Sequence, residues 1–312
     1  MTDVKLTIFT APKPFTNPHI AMIQRNALRS WLALGGEVEV LLIGEEEGLA
    51  ETAAELGIRH LPQVERNTYG TPLIRSIFEL ARQHGSGQLL AYVNADILLL
   101  PDFVAAAKQA LSRFSRFLIV GQRWDVDVRQ PLDFENDWAG RLRQMALNEG
   151  RLHPPGGSDY FIFPRACFDD VPPMAVGRAG WDNWMIYAAR AAGLPVIDAS
   201  QAVMILHQNH DYSHLPGGQP HYRLPETEEN VRLGGGKLTI FKLEDATHRL
   251  TGEGIIRLPV KGKKLRREVE IFPLVRLHSH ALAWLFFGFF HPYQAYGEAR
   301  KWLAANYNRK GG

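Results

Sequence analysis

The chain has 312 residues, 46% hydrophobic and 22% charged, and its 35 Lys and Arg nearly balance 33 Asp and Glu for a formal charge of +2. This is ordinary globular usage with room for a large core and an added lobe, and it lacks the basic excess of a nucleic-acid binder. The one cysteine, Cys167, excludes an internal disulfide and a cysteine-based zinc site and favours a reducing compartment. Met1 to Lys5 lead into a strand with no basic-then-apolar leader, so a cytoplasmic location is expected.

Strands and helices alternate through the first hundred residues. Lys5 to Thr10 reads as an apolar strand. Asn17-Pro18 then supplies a cap and a first-turn proline for a helix with Ile20, Ile23, Ala27, Leu28, Trp31 and Leu34 at helical spacing, stopped by Gly35-Gly36. Val38 to Ile43 is a second strand, Leu49 to Leu56 a helix and Ile58 to Leu61 a short extended piece, and Pro72 opens a helix ending near Gly85. This alternation predicts an α/β fold with a mostly parallel central sheet flanked by helices, its strand ends at Thr10, Gly44 and Asn94 lying along one edge where a nucleotide binds.

Each loop at that edge has two readings. Thr10-Ala11-Pro12 either runs beside a nucleobase or is a proline-rich turn. Glu45, Glu46 and Glu47 either offer a carboxylate to a ribose hydroxyl or form a solvated charge run. Thr71, just before Pro72, either helps a helix start to hold phosphate or only caps it. No G-x-G-x-x-G follows the first strand and no G-x-x-x-x-G-K-[ST] occurs, which argues against a dinucleotide-dependent dehydrogenase and a P-loop ATPase.

Leu89 to Val93 is an apolar strand that runs through Asn94-Ala95 into Asp96, and Ile97 to Leu100 follow at once. A lone carboxylate framed by two apolar runs, at the carboxyl end of a strand, is a candidate ligand for a metal or polar group; the alternative is a turn residue. Phe117 to Gly121 is another strand, followed by Trp124 and Asp125, an aromatic plane and an acid suited to a sugar face and its hydroxyls. Asp133 to Glu149 reads as an amphipathic helix. Asp159, after Gly157-Ser158 and before the strand Tyr160 to Phe163, either holds a ligand hydroxyl or belongs to an ordinary turn.

Gly180-Trp181-Asp182-Asn183-Trp184 begins a helix that reaches Gly193. Asp182 is either an N-cap or, with Trp181 and Trp184 desolvating it and raising its proton affinity, a general base for an acceptor hydroxyl. Ala199 to Leu206 is strand-like and delivers His207; His207, His210, His214 and His221 gather four of the 12 histidines in one stretch. A carboxylate with imidazoles suits Mn²⁺ better than Mg²⁺, and zinc would accept it too. For His214 and His221 the preferred reading is hydrogen bonding within a polar loop.

Beyond Leu215 come a Pro-Gly loop that reads as a lid, a short helix from Glu226 to Leu233, a basic cluster from Lys261 to Arg267 and an apolar run from Ala281 to Phe290. The apolar run is too short to span a bilayer, which takes about 20 residues. It docks on the catalytic domain, pairs with a second subunit or lies in a membrane interface, with docking the default.

Asn94-Ala95-Asp96, Trp181-Asp182-Asn183 and the late histidines, in this order, resemble the GT-A class of nucleotide-sugar glycosyltransferases, of the family 2 type. The resemblance runs from about Lys5 to His214. It implies that Asp96, last residue of a relaxed D-x-D element, binds a divalent metal bridging the sugar nucleotide's phosphates, and that His207 or His210 adds a metal ligand. Asn94 stands where the first Asp is expected and would meet the metal, the ribose or only the backbone. The acid corresponding to Asp182 faces the acceptor in inverting members of the class.

The expected organisation is a GT-A-like catalytic domain over residues 1–215 and a C-terminal helical extension over residues 216–312. The expected activity is metal-dependent transfer of a sugar from a UDP or GDP donor to a saccharide, lipid-linked or small-molecule acceptor. Thr10, Pro12, Glu45, Thr71, Asn94 and Asp96 are the donor contacts, and Trp124, Asp159 and Trp181 the acceptor contacts. Asp96, His207 and His210 hold the metal, Mn²⁺ before Mg²⁺, and Asp182 is the catalytic residue. The rival readings are a metal-dependent hydrolase built on His207, His210, Asp211 and His214, and a non-catalytic carbohydrate-binding protein.

Overall fold

Residues 5–211 and 224–300 are described by the computed structural model of the chain; the lid loop, His214 and His221 lie outside them. The elements run β1 (Leu6–Thr10), α1 (Pro18–Leu32), β2 (Val38–Ile43), α2 (Leu49–Leu56), β3 (Arg59–Leu61), α3 (Ile74–His84), β4 (Leu89–Val93), β5 (Ile97–Leu99), α4 (Asp102–Arg113), β6 (Leu118–Val120) and β7 (Trp124–Val126). They continue α5 (Trp138–Glu149), β8 (Arg151–Leu152), β9 (Tyr160–Pro164), α6 (Trp181–Ala191), β10 (Val196–Asp198), β11 (Ile205–Gln208), α7 (Pro225–Leu233), β12 (His248–Thr251), β13 (Gly254–Arg257), α8 (Lys263–Arg276) and α9 (His280–Phe290).

Nine strands form the central sheet in the order β13-β12-β10-β6-β9-β4-β1-β2-β3. β1, β2, β3 and β4 pair in parallel, as do β6, β10 and β12, while β9 runs antiparallel between β4 and β6. The mostly parallel α/β architecture expected from the alternation is therefore the one observed. Period-two alternation buries both faces of the strands: in β4, Leu89, Ala91 and Val93 join one core cluster and Leu90 and Tyr92 the other. α1, α2 and α4 cover the first face, with Trp31 wholly buried and its indole N–H donating to the Ile97 carbonyl at 2.8 Å. α3, α6 and α8 cover the second. There Phe78 stacks on Phe163 at 5.5 Å and meets Phe9 edge-on at 5.2 Å, each ring contributing about 1.5–3 kcal/mol of burial.

A second sheet, β5-β11-β7-β8, sits beside the first and packs on α5 through Leu98, Val126, Leu206, Trp138 and Leu142. The chain leaves the central sheet at Val93 and enters the second at Ile97, so Asn94, Ala95 and Asp96 bridge the two sheets. Because β9 is antiparallel to β4, with Tyr160 opposite Val93, Ser158 and Asp159 arrive at the edge where β1, β2 and β4 end.

Four expectations change. The chain is still extended at Leu73, and α3 starts at Ile74 rather than Pro72. α5 starts at Trp138 behind an Asp137 cap, so 133–137 are not helical. His207 lies inside β11, not after it. β12 and β13 extend the central sheet, so the sheet crosses the expected boundary at 215/216 and only the α8–α9 hairpin resembles an appended extension.

Candidate functional site

A cleft of about 1040 Å³ opens where the strand ends and the second sheet meet, and Pro12, Glu45, Thr71, Asn94, Asp96, Asp159, Trp181, Asp182, His207 and His210 all line it. Residues spread over some two hundred positions converge because parallel strands end on one side and β11 pairs with β5. That pairing places His207 opposite Ile97, next to Asp96, and the β11–β7 pairing places it opposite Asp125. Gln208, fully buried, donates from its backbone N–H and its side-chain amide to the Asp96 carbonyl at 3.2 and 3.1 Å, fixing the turn.

Asp96, His207 and His210 each offer a ligand atom, and the three lie within 4.8 Å of one another. Asp96 Oδ1 is buried without a hydrogen-bond partner, and a buried polar atom left in that state usually awaits one; His207 Nδ1 is buried with Asp125 Oδ1 3.5 Å away. One carboxylate and two imidazoles form a donor set that Mn²⁺ or Zn²⁺ accepts, so the residues fit a divalent ion. His210 Nδ1 donates to the Asp211 carbonyl at 2.7 Å, which orients the ring as an outer hydrogen bond does for metal-ligating imidazoles.

Lys13 was not legible as a site residue, yet it occupies the centre of this cluster. Its Nζ donates to Asp96 Oδ2 and to His210 Nε2, both at 2.9 Å. Its backbone is fixed by Gln24, whose amide oxygen accepts from the Lys13 N–H at 2.7 Å and whose amide N–H donates to the Lys13 carbonyl at 2.9 Å. Burial pushes the Asp96 carboxyl up, but the Lys13 charge and the neighbouring histidines outweigh it and hold the group well below the usual carboxylate range. Asp96 is thus a buried anion with a cation already facing it.

The cleft carries three further cations, each pinned by acids. Arg66 pairs with Glu46 at 2.9 Å and Glu45 at 3.5 Å. Arg178 pairs with Glu226 at 2.7 Å and donates to the Thr71 hydroxyl at 3.3 Å. Arg123 donates to both Asp159 oxygens at 2.8 and 2.9 Å and to Asp125 at 2.9 Å. Asp125 also meets His153 Nδ1 at 2.7 Å and lies 3.5 Å from His207 Nδ1; burial raises its carboxyl and these partners together lower it far below the ordinary value. Fixed guanidinium groups of this kind are pre-organised for phosphate or carboxylate.

Asp182 stands in the first turn of α6, where Gly180 rather than Asp182 is the cap. Its Oδ1 accepts the Gly180 N–H at 3.2 Å. Desolvation raises its carboxyl above the ordinary range against these backbone hydrogen bonds, and the Asp159 charge adds to the rise. Gly157 lies close by: a Cβ there would sit 3.1 Å from Asp182 Oδ2.

Several expected contacts are placed differently. Thr10 is wholly buried and Trp124 packs on the third core cluster; neither lines the cleft. Trp124 and Asp125 are neighbours on a strand, so they point to opposite faces, and Asp125 lies behind the cleft wall, against the cleft-lining Arg123, His153 and His207. Trp181 is 4% exposed, its ring held edge-on by Tyr92 at 4.9 Å, which leaves no open stacking face. Asp159 is taken up by Arg123 and by Asn94, whose amide donates to Oδ1 at 2.9 Å. Thr71 precedes a helix that starts three residues later, so its contact is with Arg178, not with free helical N–H groups.

No protein-family model matches the sequence, and no curated protein matches it. Among solved structures the chain is similar to a mannosyltransferase, PcManGT, from Pyrobaculum calidifontis in complex with GDP-Man and Mn²⁺, at TM-score 0.44 and 13% identity, covering 67% of this chain and 58% of that one. It is also similar to TarS 1-349 of S. aureus in complex with UDP-GlcNAc, at TM-score 0.49 and 15% identity, covering 74% of this chain and 65% of that one. A third is the glucosyl-3-phosphoglycerate synthase of Mycobacterium tuberculosis with Mn²⁺, UDP and glucosyl-3-phosphoglycerate, at TM-score 0.44 and 14% identity, covering 66% and 73%. The chain thus spans less than two thirds of the length of the first two.

Proposed function

We propose that the chain is a glycosyltransferase that binds a nucleoside-diphosphate sugar with a divalent cation and transfers the sugar to a hydroxyl acceptor. The observation that carries this is the Asp96, His207 and His210 cluster, with an orphaned buried Asp96 oxygen, at the meeting of strand ends in a cleft that also presents pinned arginines and a proton-avid Asp182. Asp96, His207 and His210 would hold the cation, which when bound offsets charge on the diphosphate leaving group. Arg66 and Arg178 face the same space and take phosphate or ribose oxygens, with Glu45, Glu46 and Thr71 as their partners. Asp159, itself held by the Asn94 amide, keeps Arg123 in place. Asp182 accepts the proton of the acceptor hydroxyl if the anomeric centre is inverted, a task that a raised carboxyl suits.

A second reading follows from Lys13. Its ammonium already lies 2.9 Å from Asp96 and His210 and supplies a positive charge at the same place, so the diphosphate would be met by Lys13 with no ion at all. Thermal melting separates the two. The first reading expects UDP or GDP to raise Tm strongly with Mn²⁺, Mn²⁺ the better of Mn²⁺ and Mg²⁺, and little after chelation, because a ligand that binds the native state stabilises it by mass action. An equal shift in the presence of chelator supports the Lys13 reading. A shift with metal alone and with no nucleotide returns the cleft to the hydrolase reading.

A further inference from the structure

The α8–α9 hairpin is apolar where it meets water. α9 (HALAWLFFGFF) is hydrophobic nearly all round, yet only Ala283 in it is buried; Leu285 is 69% and Phe289 80% exposed, and Tyr293 just beyond is 92% exposed. On α8, Leu265, Val269 and Phe272 form an exposed stripe at helical spacing, beside an apolar groove of about 350 Å³ that reaches Phe286. A helix apolar on every side belongs in a core or a lipid environment, and contiguous exposed patches of this kind mark interaction sites.

Charge decides between occupants. Residues 257–300 carry eight Lys and Arg against three Glu, a surplus of five in a chain whose total is +2. The three acids are all engaged: Glu268 pairs with Arg190 at 2.6 Å, Glu270 with Arg267 at 2.9 Å and Glu298 with Lys237. Lys261, Lys263, Arg266 and Arg276 are exposed, so the hairpin shows solvent an apolar face rimmed by cations. In an isologous dimer that face would bring each cation toward its own copies, which disfavours a second copy. An anionic bilayer surface complements both features.

We propose that the α8–α9 hairpin is a peripheral docking surface for anionic lipid bilayers. With 11 residues α9 is about 16 Å long, against about 30 Å of hydrocarbon, so it lies in the interface rather than crossing; among the described residues no helix is long and apolar enough to cross. The Arg190–Glu268 pair ties the hairpin to α6, the helix that bears Asp182, so docking also sets the cleft's place relative to the lipid surface.

The test is flotation of the full chain with phosphatidylcholine vesicles, with and without phosphatidylglycerol, beside light scattering for oligomeric state. The chain is expected to float with the anionic vesicles as a monomer. Leu285→Ser with Phe289→Ser should lower partitioning about tenfold or more, and Lys263→Gln or Arg276→Gln about fivefold each. All four positions are exposed, and circular dichroism verifies the fold of each variant. Absence of binding to anionic vesicles, binding indifferent to both sets of variants, or a dimer that Phe289→Ser dissociates would each overturn the proposal. Flotation reads the hairpin alone, so its outcome is independent of the reading of the cleft.

Discussion

The cleft and the C-terminal hairpin solve opposite problems with the same chain. In the cleft, charged groups are drawn out of water and paired with opposite charges: Asp96 with Lys13, Asp159 with Arg123, Arg178 with Glu226 behind it. On the hairpin, large apolar side chains such as Leu285 and Phe289 are left mostly in water. Buried charge persists only when paired, so the cleft's arrangement is pre-organised for a polar ligand; exposed apolar surface gives no stability until something covers it. Polar chemistry inside and apolar chemistry outside both mark places where function overrides folding economy.

The sharpest way to break that contrast is at Asp182. Asp182→Asn should lower sugar transfer by about 10²- to 10⁴-fold, the scale of a lost general base, with nucleotide binding by calorimetry nearly unchanged. Its effect on stability should depend on pH with a defined sign. The folded carboxyl is raised above the unfolded value, near 3.9, so between the two values the unfolded chain has ionised while the folded group keeps its proton, and the native state loses stability with rising pH until the folded carboxyl ionises as well. The melting temperature of Asp182→Asn relative to the natural protein should therefore rise from acid to neutral pH and then level off; a constant difference would remove the desolvated carboxylate from the account.

A second pair of substitutions sets core against hairpin. Phe163, fully buried between Phe78 and Phe168, should cost about 3–5 kcal/mol on truncation to Ala, read by urea unfolding. Phe289→Ser, at 80% exposure, should change stability by no more than about 0.5 kcal/mol. A large loss at Phe289 would mean that the hairpin's apolar face is already covered. Between these two lies Lys13: Lys13→Met should tighten Mn²⁺ binding in the absence of nucleotide by about tenfold, ~1.4 kcal/mol, because the competing ammonium is removed from Asp96 and His210. Unchanged or weaker binding would show that Lys13 does not share the ion's place.

What was legible in the sequence follows from the range of the interactions involved. The β4 strand and its delivery of Asp96, the Asn17 cap that accepts from the His19 and Ile20 N–H groups, and the helix bearing Asp182 are all written in short stretches. Lys13 was invisible because its partners lie 83 and 197 positions away, and a lone lysine between prolines carries no local pattern. The Trp124-Asp125 pair reads as a unit in sequence but is split by strand alternation, which sends the ring to the third core cluster and the acid to Arg123, His153 and His207. The 215/216 boundary misled for a similar reason: β12 is a short strand of mixed polarity, His248–Thr251, and joins the sheet only through its pairing with β10.

The central claim is that Asp96 holds a divalent cation needed for nucleotide binding. Mn²⁺ binding, followed by electron paramagnetic resonance with UDP or GDP present, tests it in the natural protein and in Asp96→Asn, which keeps the shape and removes the charge. The account predicts Mn²⁺ uptake that depends on nucleotide and falls about 100-fold or more in the folded variant. Normal uptake of the metal-nucleotide pair by a folded Asp96→Asn protein would contradict it.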